Sequence, residues 1–416
     1  MGAMSEPFLI NRVILQNYRS IAYCDVELRN LTFLSGPNGS GKSNFMDALR
    51  FVADSLRTSL EHAMRERGGI REMICRTGAP SDGLSDLSIE IYFAIGTSVK
   101  GQFSFCVRSA AQGSFYVLRE HCSISDAVTG EKHHYTNEDG VPFQSSPGVP
   151  PPTAPLDRLH LALVSGVEAF RPVANALASM GFYNPDPRSM AAPRAANELD
   201  DILLPSGANV ASVLDRLSRY HEDVKSRIES YLRGIVPSLS GFYVTADVYR
   251  FIRFKFEFPD QKAPLVFLAE SMSDGTLRAL GLLVALFQKQ ENGSGRSLSL
   301  VGIEEPEVAL HPAAARLLLD ALSEASESRQ VIVTTHSPDL LDSNDIDNDS
   351  ILAVQIGEDG ATLIGPVDDA GRQVLKDRLY TVGELMRLNQ LQPQRSAADG
   401  LALADEVQTK LSPDEP

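Results

Sequence analysis

Gly36-Pro37-Asn38-Gly39-Ser40-Gly41-Lys42-Ser43 is the stretch of sequence that decides the fold of this chain. It is a complete phosphate-binding loop, G-x-x-x-x-G-K-S, between an apolar run (Leu31 to Leu34) and a helix-like segment (Asn44 to Leu60). The glycines let backbone N–H groups surround an anion, and the helix N-terminus adds a favourable dipole. We expect Lys42 to reach the β- and γ-phosphates of a nucleotide and the Ser43 hydroxyl to hold Mg²⁺.

Length and composition are those of an ordinary globular protein. The chain has 416 residues, of which 43% are hydrophobic and 22% charged. This length allows roughly two to three domains. No apolar run is long enough to span a membrane, and the N-terminus lacks a basic-then-apolar leader. We therefore expect a cytoplasmic protein with no membrane partner.

Cysteine spacing and net charge restrict the partners further. Cys24, Cys75, Cys106 and Cys122 form no C-x-x-C pair, which argues against a zinc site or a disulfide framework. A formal net charge of −16 argues against general attraction to nucleic acid. Residues 57–76 carry five arginines but also three glutamates. That segment is either a local DNA-binding patch or a solvated charged helix face.

The patterns along the chain predict a mixed α/β organisation. Alternating residues predict strands at 8–15, 87–95, 102–107 and 114–119, which would form an antiparallel sheet attached to the nucleotide core. Helical periodicity covers residues 156–180, 210–232, 277–290 and 313–323. Short apolar runs at 298–303 and 330–334 are typical of buried parallel strands, and 351–364 suggests a hairpin.

A pair of carboxylates follows the first of these apolar runs. The segment is Glu304-Glu305-Pro306-Glu307, and Leu310-His311-Pro312 comes soon after it. A carboxylate at the end of a buried strand suits Mg²⁺, and a second one beside it can orient and deprotonate an attacking water. Adjacent acids are costly to bury unless a cation offsets their charge. The alternative is a solvated acidic strand end.

A histidine follows the next apolar run, in Thr335-His336-Ser337-Pro338. A lone histidine at a strand end is usually structural, but site residues gather at such ends of parallel strands. We therefore expect His336 to lie beside the γ-phosphate of a bound nucleotide and to sense its presence.

Ser271-Met272-Ser273-Asp274-Gly275-Thr276 precedes a strong helical pattern. A glycine-containing turn at a helix start can bind an anion, although Ser and Asp are also ordinary N-caps. One subunit hardly needs a second phosphate cradle, whereas two facing subunits could each cover the γ-phosphate bound by the other. This segment therefore favours an ATP-gated head-to-tail dimer.

As a set, these motifs resemble those of the ABC-type ATPases of the RecF and SMC kind and of a related bacterial group labelled AAA-type. The resemblance is carried by Asn17-Tyr18-Arg19-Ser20, the phosphate loop, Ser273-Asp274-Gly275-Thr276-Leu277-Arg278, Glu304-Glu305-Pro306-Glu307, His311-Pro312 and Thr335-His336-Ser337-Pro338. Weaker matches are Gly207-Ala208-Asn209-Val210-Ala211 and Tyr380-Thr381-Val382-Gly383-Glu384-Leu385. The resemblance spans most of residues 8–390.

The resemblance implies a role for each segment. The ATP-binding residues would be Arg19, Ser20, Gly36, Pro37, Asn38, Gly39, Ser40, Gly41, Lys42, Ser43 and Asn44, with Ser273, Asp274 and Gly275 acting on the nucleotide of the other subunit. Ser43 and Glu304 would hold Mg²⁺, although Asp is commoner than Glu in the family at the second position. The catalytic residues would be Glu305 as the base, His336 as the switch histidine, and Lys42. Glu307 and His311 would lie in the loop that crosses the dimer interface, and Gln144 is a candidate for the family's Q-loop glutamine.

The resemblance also implies the fold and the domain limits. We expect an α/β P-loop NTPase head of the ABC type, with a mixed central sheet, an N-terminal antiparallel β subdomain and an inserted helical lobe. The expected limits are an N-terminal ATPase lobe over residues 5–150, a helical lobe over 151–240, a C-terminal ATPase lobe over 241–391 and a flexible tail over 392–416. Heptad repeats and zinc-hook cysteines are missing, which excludes SMC proteins proper and the zinc-hook repair ATPases. The chain after His336 is too short for a Toprim-like nuclease domain, which argues against an Old-type nuclease in the same chain.

Together these features predict an ATP-hydrolysing enzyme that forms a homodimer, or a higher oligomer, when it binds ATP. Such heads are conformational switches, so we expect a protein effector such as a nuclease or toxin in anti-phage defence. One alternative is a DNA-repair clamp that binds duplex DNA directly. Another is a scaffold that binds ATP and barely hydrolyses it.

Overall fold

Strand β3 (Leu31–Ser35), which leads into the phosphate loop, contributes to both of the compact units into which the chain divides. The computed structural model describes residues 7–76, 86–110, 113–139, 141–146, 157–195, 202–289, 298–343 and 345–394. The first unit draws its described residues from Met1–Leu9, Asn30–Phe33 and Asn175–Ser343. The second unit draws them from Ile10–Arg29, Leu34–Ala174 and Asn344–Pro416.

The second unit contains a large antiparallel sheet, as the alternating patterns predict. Its strands are β1 (Phe8–Tyr18), β2 (Ile21–Glu27), β4 (Asp86–Ile95), β5 (Val99–Ser109), β6 (Phe115–Asp126), β7 (Lys132–Glu138) and β8 (Val141–Ser145). They are ordered β2-β1-β4-β5-β6-β7-β8. In β4, Leu87, Ile89, Ile91 and Phe93 are buried and alternate with more exposed residues, because one face of the sheet lies in the core.

Helix α1 (Lys42–Arg57) follows the phosphate loop and packs on this sheet. The ring centroid of Phe51 lies 6.2 Å from that of Tyr18 on β1 and 6.1 Å from that of Phe105 on β5. The helix predicted to run to Leu60 ends at Arg57, because Thr58 leaves the helical conformation. The short helices α2 (Leu60–Arg65) and α3 (Ile70–Met73) follow.

The C-terminal part of the second unit forms the predicted hairpin and two helices. Strands β16 (Ile351–Ile356) and β17 (Thr362–Pro366) are antiparallel, and β16 also neighbours β3. Helix α11 (Asp369–Lys376) follows, and then α12 (Val382–Arg387). Thr381 and Glu384 form a capping box at the start of α12, which explains part of the weaker match at 380–385 as a helix start.

The first unit contains the short buried strands. These are β9 (Gly181–Tyr183), β14 (Leu300–Glu304) and β15 (Gln330–Thr335), and the order in this unit is β3-β15-β14-β9. Strand β14 pairs in parallel with both β15 and β9. All six residues of β15 are buried, as the uncharged apolar run predicts for a covered parallel strand. The carboxyl ends of β14 and β15 therefore lie side by side.

The first unit also contains the helices α6 (Pro187–Ala191), α7 (Val210–Tyr220), α8 (Glu222–Ile235), α9 (Asp274–Phe287) and α10 (Ala315–Ser326), and a second sheet made of β10 (Arg194–Ala195), β11 (Leu239–Ala246), β12 (Tyr249–Phe256) and β13 (Leu265–Leu268). The helical pattern at 210–232 corresponds to two helices, not one. His221, with φ −142° and ψ 58°, leaves the helical conformation and separates α7 from α8. Likewise, the pattern at 156–180 contains two helices, α4 (His160–Val164) and α5 (Arg171–Ala178), separated by a turn at Ser165 and Gly166, which are poor helix formers.

Among the described residues, no helix combines the length and the apolar content that crossing a membrane requires.

Candidate functional site

The phosphate loop lies between β3 and α1 in the second unit. Gly39 and Gly41 have φ of 77° and 103°, in the positive-φ region that glycine adopts most readily. Pro37, Asn38, Gly39 and Ser43 are exposed, whereas Ser40 and Lys42 are buried. The N-terminus of the 16-residue helix α1 therefore follows an exposed turn.

Two glycines of this loop are fixed by close packing, one against backbone and one against a side chain. A Cβ on Gly36 would lie 2.0 Å from the carbonyl oxygen of Val354 on β16. A Cβ on Gly41 would lie 2.1 Å from Oγ1 of Thr362 on β17. The hairpin β16–β17 therefore supports the loop, and no larger residue fits at either position.

Lys42 points back across its own loop. Its Nζ donates to the carbonyl oxygens of Gly36 and Pro37, both at 2.8 Å. The side chain is 4% exposed, so these two acceptors offset much of the cost of burying the ammonium. The charge is thereby held at the centre of the turn.

Ser20, Asn44 and Thr362 form a small hydrogen-bonded network behind the loop. Asn44 Nδ2 donates to Ser20 Oγ at 2.6 Å, and Ser20 Oγ lies 2.7 Å from Thr362 Oγ1. Thr362 Oγ1 donates to the carbonyl oxygen of Ser40 at 2.9 Å. Ser20 thus lies beside the helix start, and Thr362 joins it there although no sequence motif indicated this.

Arg19 is paired with a carboxylate on α1. Its Nη2 lies 2.8 Å from Asp47 Oδ2, and Asp47 also accepts the Tyr18 hydroxyl at 2.8 Å and Arg67 Nε at 3.0 Å. The backbone of Arg19 is in the left-handed region, with φ 52°. The network joins Arg19 to α1 one turn after the phosphate loop.

The acidic segment of the first unit lies at the end of β14. Glu304 is the last residue of that strand, and Glu305 has φ 45°, which is strained for a residue other than glycine. The backbone of Glu305 is held across the sheet, because its N–H donates to the Thr334 carbonyl at 2.9 Å. The strain is therefore maintained by the neighbouring strand.

His336 lies against this acidic segment. Its Nδ1 is 3.3 Å from Glu305 Oε1 and 3.6 Å from Glu307 Oε1. The Glu307 carboxylate also accepts the Thr335 hydroxyl at 2.6 Å and the backbone N–H groups of His336 at 3.1 Å and Ser337 at 3.2 Å. The structure thus brings together the base and the histidine that the sequence predicted, and adds Glu307 as their link.

The turn before α9 is an exposed helix start in the same unit. Ser273 is the N-cap, and its Oγ accepts the Thr276 N–H at 3.2 Å. Ser273 and Asp274 are exposed, and a Cβ on Gly275 would lie 2.3 Å from the Ala309 carbonyl oxygen. The turn therefore packs closely on the loop that follows the acidic segment.

Arg278 connects α9 to the end of β14. Its Nη2 donates to Asn184 Oδ1 at 2.9 Å, and more weakly to the carbonyl oxygens of Glu304 and Glu305, both at 3.4 Å. Burial lowers the pKa of the guanidinium, and the nearby carboxylates, Glu305 first, oppose that shift. The sequence placed Arg278 in a motif but gave it no role.

Two other residues of the predicted motifs, His311 and Asn209, have surroundings that favour structural roles. A third, Gln144, has a side chain of which the structure says nothing. His311 Nδ1 accepts the Ala313 N–H at 3.1 Å and so caps a short turn. Asn209 is fully buried, accepts the Leu204 N–H and donates to the Ile202 carbonyl, both at 2.8 Å. The side chain of Gln144 lies outside the described residues, so its Q-loop assignment stays a prediction.

The arginine-rich segment 57–76 is largely neutralised by carboxylates. Arg65 pairs with Glu61 and Arg76 with Glu72, while Arg67 is 5% exposed and contacts Asp47 and Asp54. Arg57 lies 3.9 Å from Asp54. These pairs favour the charged-helix-face interpretation over a DNA-binding patch.

Comparisons with known proteins identify a family and a fold that this chain is similar to. A family model described as "AAA domain, putative AbiEii toxin, Type IV TA system" matches residues 31–342. The Old nuclease of Escherichia phage P2 is 24% identical over 367 residues, which cover 83% of this chain and 59% of the nuclease. The chain thus spans less than two thirds of the length of that relative.

Two solved structures share the fold. An SMC head bound to the C-winged helix domain of ScpA has a TM-score of 0.52 and 14% identity, with coverage of 88% of this chain and 99% of that one. An SMC head with an extended coiled coil, bound to the C-terminal domain of ScpA and derived from Pyrococcus furiosus, has a TM-score of 0.51 and 12% identity over 89% and 99%. The likeness at these identities is one of fold, and it confirms the predicted ABC-type head.

Proposed function

Because the chain belongs to the family of AAA domains whose model matches it, we propose that it binds ATP with Mg²⁺ and hydrolyses it. The observation that carries this proposal is the contact between His336 Nδ1 and Glu305 Oε1 at 3.3 Å, in a chain with a complete phosphate loop. Binding alone needs only the loop, whereas hydrolysis needs a group that can deprotonate water.

The phosphate loop has the features that a triphosphate requires. The start of α1 presents backbone N–H groups, and the buried Ser40 hydroxyl has no hydrogen-bond partner among the described residues. We expect Lys42 to exchange its two loop carbonyls for phosphate oxygens. Ser43, which is exposed, and Glu304 would hold Mg²⁺, and that ion would neutralise charge on the phosphate oxygens.

Glu305 and His336 would carry the chemical step. Glu305 would accept the proton of the attacking water at its carboxylate, and His336 would orient that carboxylate and contact the γ-phosphate. The strained backbone of Glu305, with φ 45°, supports this role because strain of this kind concentrates at functional sites.

The exposed turn before α9 supports ATP-dependent dimerisation. Ser273 and Asp274 face solvent at the N-terminus of a 14-residue helix, where an anion from a second copy could bind. Ser273, Asp274 and Gly275 would then complete the site of the partner subunit. Hydrolysis would remove the γ-phosphate that joins the two copies and reopen the dimer.

We further propose that this switch acts in anti-phage defence with a nuclease or toxin partner. The support is that the matching family is described as containing a putative toxin and that the similar phage P2 protein is a nuclease. Direct DNA binding is the weaker candidate, because four of the five arginines in residues 57–76 lie within 4 Å of carboxylates.

Steady-state hydrolysis of ATP by the purified chain tests the proposal. Glu305→Gln should lower kcat by on the order of 10²–10⁴-fold, as expected for loss of a general base, and should accumulate an ATP-bound dimer visible by analytical ultracentrifugation. Lys42→Ala should weaken ATP binding by about 10–100-fold, because it removes a charged hydrogen-bond donor.

Glu327→Gln and Lys376→Ala are the matched controls, since both side chains are exposed and neither belongs to the proposed site. A Glu305→Gln protein that hydrolyses ATP at the unaltered rate would exclude the proposed base. Salt-dependent binding of duplex DNA that requires ATP would instead favour the DNA clamp.

A further inference from the structure

Glu307 is the more enclosed of the two carboxylates that contact the His336 ring. Its side chain is 12% exposed, whereas that of Glu305 is 36% exposed. A carboxylate this deeply placed requires donors to offset the cost of its desolvation. Those donors come from one short segment, residues 335–337, which we call the histidine turn.

The histidine turn converges on a single oxygen of Glu307. Oε1 accepts the Thr335 hydroxyl at 2.6 Å and the N–H groups of His336 and Ser337 at 3.1 and 3.2 Å. Thr335 Oγ1 in turn accepts the Ser337 N–H at 3.0 Å. Consecutive N–H groups that surround one anionic oxygen form a strong and directional cradle, here filled by a side chain of the protein itself.

The segment that carries Glu307 is itself held in place. The Val308 N–H donates to the Glu305 carbonyl at 3.1 Å, and the Leu310 N–H donates to the Glu307 carbonyl at 3.0 Å. Pro306, between the two glutamates, restricts the backbone further. The position of the Glu307 carboxylate is therefore fixed relative to Glu305 by local structure.

The consequence concerns the imidazole of His336. With Oε1 of Glu307 occupied by three donors, the imidazole Nδ1 lies nearer to Glu305 Oε1, at 3.3 Å, than to Glu307 Oε1, at 3.6 Å. Glu307 thus determines where the backbone of His336 lies, while Glu305 is the closer carboxylate contact of its ring.

We propose that Glu307 is a positioning residue that latches the histidine turn, so that His336 stays against Glu305 during ATP hydrolysis. This inference rests on the proposed ATPase function. The latch needs an acceptor oxygen at the position of Glu307 Oε1, and it does not need Glu307 to exchange a proton with water.

Three substitutions at this position separate positioning from other roles. Glu307→Ala removes the acceptor and should lower kcat by on the order of 10–100-fold with KM for ATP changed less than about threefold, because a small misplacement of a catalytic group lowers the rate steeply. Glu307→Gln retains an acceptor oxygen and should stay within about fivefold of the unaltered kcat. Glu307→Asp is one methylene shorter and should resemble Glu307→Ala.

Hydrogen exchange tests the latch without relying on activity. In Glu307→Ala, a peptide containing residues 335–337 should exchange the amides of His336 and Ser337 faster, whereas Glu307→Gln should preserve their protection. Glu229→Ala is the matched control, because that glutamate is 16% exposed and accepts the Phe242 N–H at 3.0 Å elsewhere in the same unit. It should alter exchange near Phe242 and leave kcat unchanged.

The outcomes distinguish the inference from the proposed function. If Glu307→Gln loses as much kcat as Glu307→Ala, Glu307 acts through its charge and the positioning role is wrong. If Glu307→Ala is folded and keeps both kcat and amide protection, there is no latch. If the unaltered chain hydrolyses no ATP, the proposed function fails, and the exchange result alone then decides whether the latch exists.

Should Glu307→Ala not fold, Thr335→Val provides a second test, because it removes one donor of the same latch. This variant should lower kcat several-fold with KM unchanged. An unaltered kcat in Thr335→Val would contradict the latch.

Discussion

The phosphate loop and the acidic strand end are built in different ways, although both are proposed to act on one nucleotide. At the loop, backbone packing sets the shape, since a Cβ on Gly36 would meet the Val354 carbonyl oxygen at 2.0 Å. At the strand end, side chains set it, since Glu307 accepts three hydrogen bonds from residues 335–337. The loop should therefore tolerate no added volume at Gly36 or Gly41, whereas the strand end should be sensitive to the loss of single polar atoms.

The largest effect is expected from added volume in the loop. Gly36→Ala should lower the free energy of unfolding by about 3 kcal/mol or more and abolish detectable ATP binding, because the contact is with backbone that cannot move aside. Gly39→Ala is the control, since nothing lies within 4 Å of its Cβ position and only its φ of 77° is strained. That control should cost about 1–2 kcal/mol. Equal losses in urea denaturation would show that packing against Val354 does not matter.

The next effect concerns a second carboxylate that binds backbone donors, Glu120 on β6. It is fully buried and accepts the Tyr135 hydroxyl at 2.8 Å and the N–H groups of His160 and Leu161 at 2.5 and 2.8 Å. Burial raises its pKa from 4.5 to about 7, against the opposing effect of these donors. Glu120 is thus the counterpart of Glu307 in the second unit, but without a more exposed carboxylate beside it in sequence.

This pKa shift predicts a dependence of stability on pH. Folding takes up a proton on Glu120 between the unfolded pKa near 4.5 and the folded pKa near 7, so its contribution is present at low pH and is lost as the pH rises towards 7. Between pH 5 and 8, the unfolding free energy of the unaltered protein should fall by about 3 kcal/mol relative to Glu120→Gln. Burial also lowers the pKa of His160 to about 4, which acts in the opposite sense below pH 6.5 but is common to both proteins. A difference that stays constant with pH would contradict the assignment.

A smaller effect is expected from the polar support of the loop. Thr362→Val keeps the shape of the side chain but removes its bond to the Ser40 carbonyl and its contact with Ser20. The loss should be about 2 kcal/mol, because a buried carbonyl is left without its partner. Thr58→Val is the control, since the Thr58 hydroxyl donates to the Asp54 carbonyl oxygen at an exposed helix end. Its removal should lower the free energy of unfolding by under about 0.5 kcal/mol. Chemical denaturation of both variants compares the two.

The smallest expected effect is a gain in the free energy of unfolding of one variant over another, not a loss. Glu305→Asn should raise the free energy of unfolding by about 0.5–1 kcal/mol relative to Glu305→Gln, because asparagine tolerates the left-handed backbone that Glu305 adopts with φ 45°. Both variants should be inactive as ATPases. If the two are equally stable, the strain at Glu305 has no measurable cost and does not distinguish the strand end from the loop.

The two regions also differ in how far sequence could predict them. The phosphate loop is eight consecutive residues, so its backbone conformation follows from a local motif, and the structure agrees with it at Gly39 and Gly41. The acidic pair and His336 each follow an apolar run, and the parallel pairing of those runs brings their ends together. Position along the chain was enough to place these residues.

The supporting contacts could not be predicted in the same way. Thr362 is 322 residues from Ser40, and a threonine in a hairpin has no distinguishing pattern. The bonds of Glu307 depend on the register between β14 and β15, which an uninterrupted apolar run does not specify because it has no alternation. The division into three lobes and a C-terminal tail, and the roles of the individual site residues, stay predictions.

The distance along the chain between the loop and its support has a consequence during synthesis. Val354 and Thr362 leave the ribosome more than 300 residues after Ser20 and Ser40, since the contacts of Thr362 span 342 and 322 residues. At ordinary translation rates this delay is roughly tens of seconds. The nascent chain therefore carries its phosphate motif long before the hairpin that packs against it has been made.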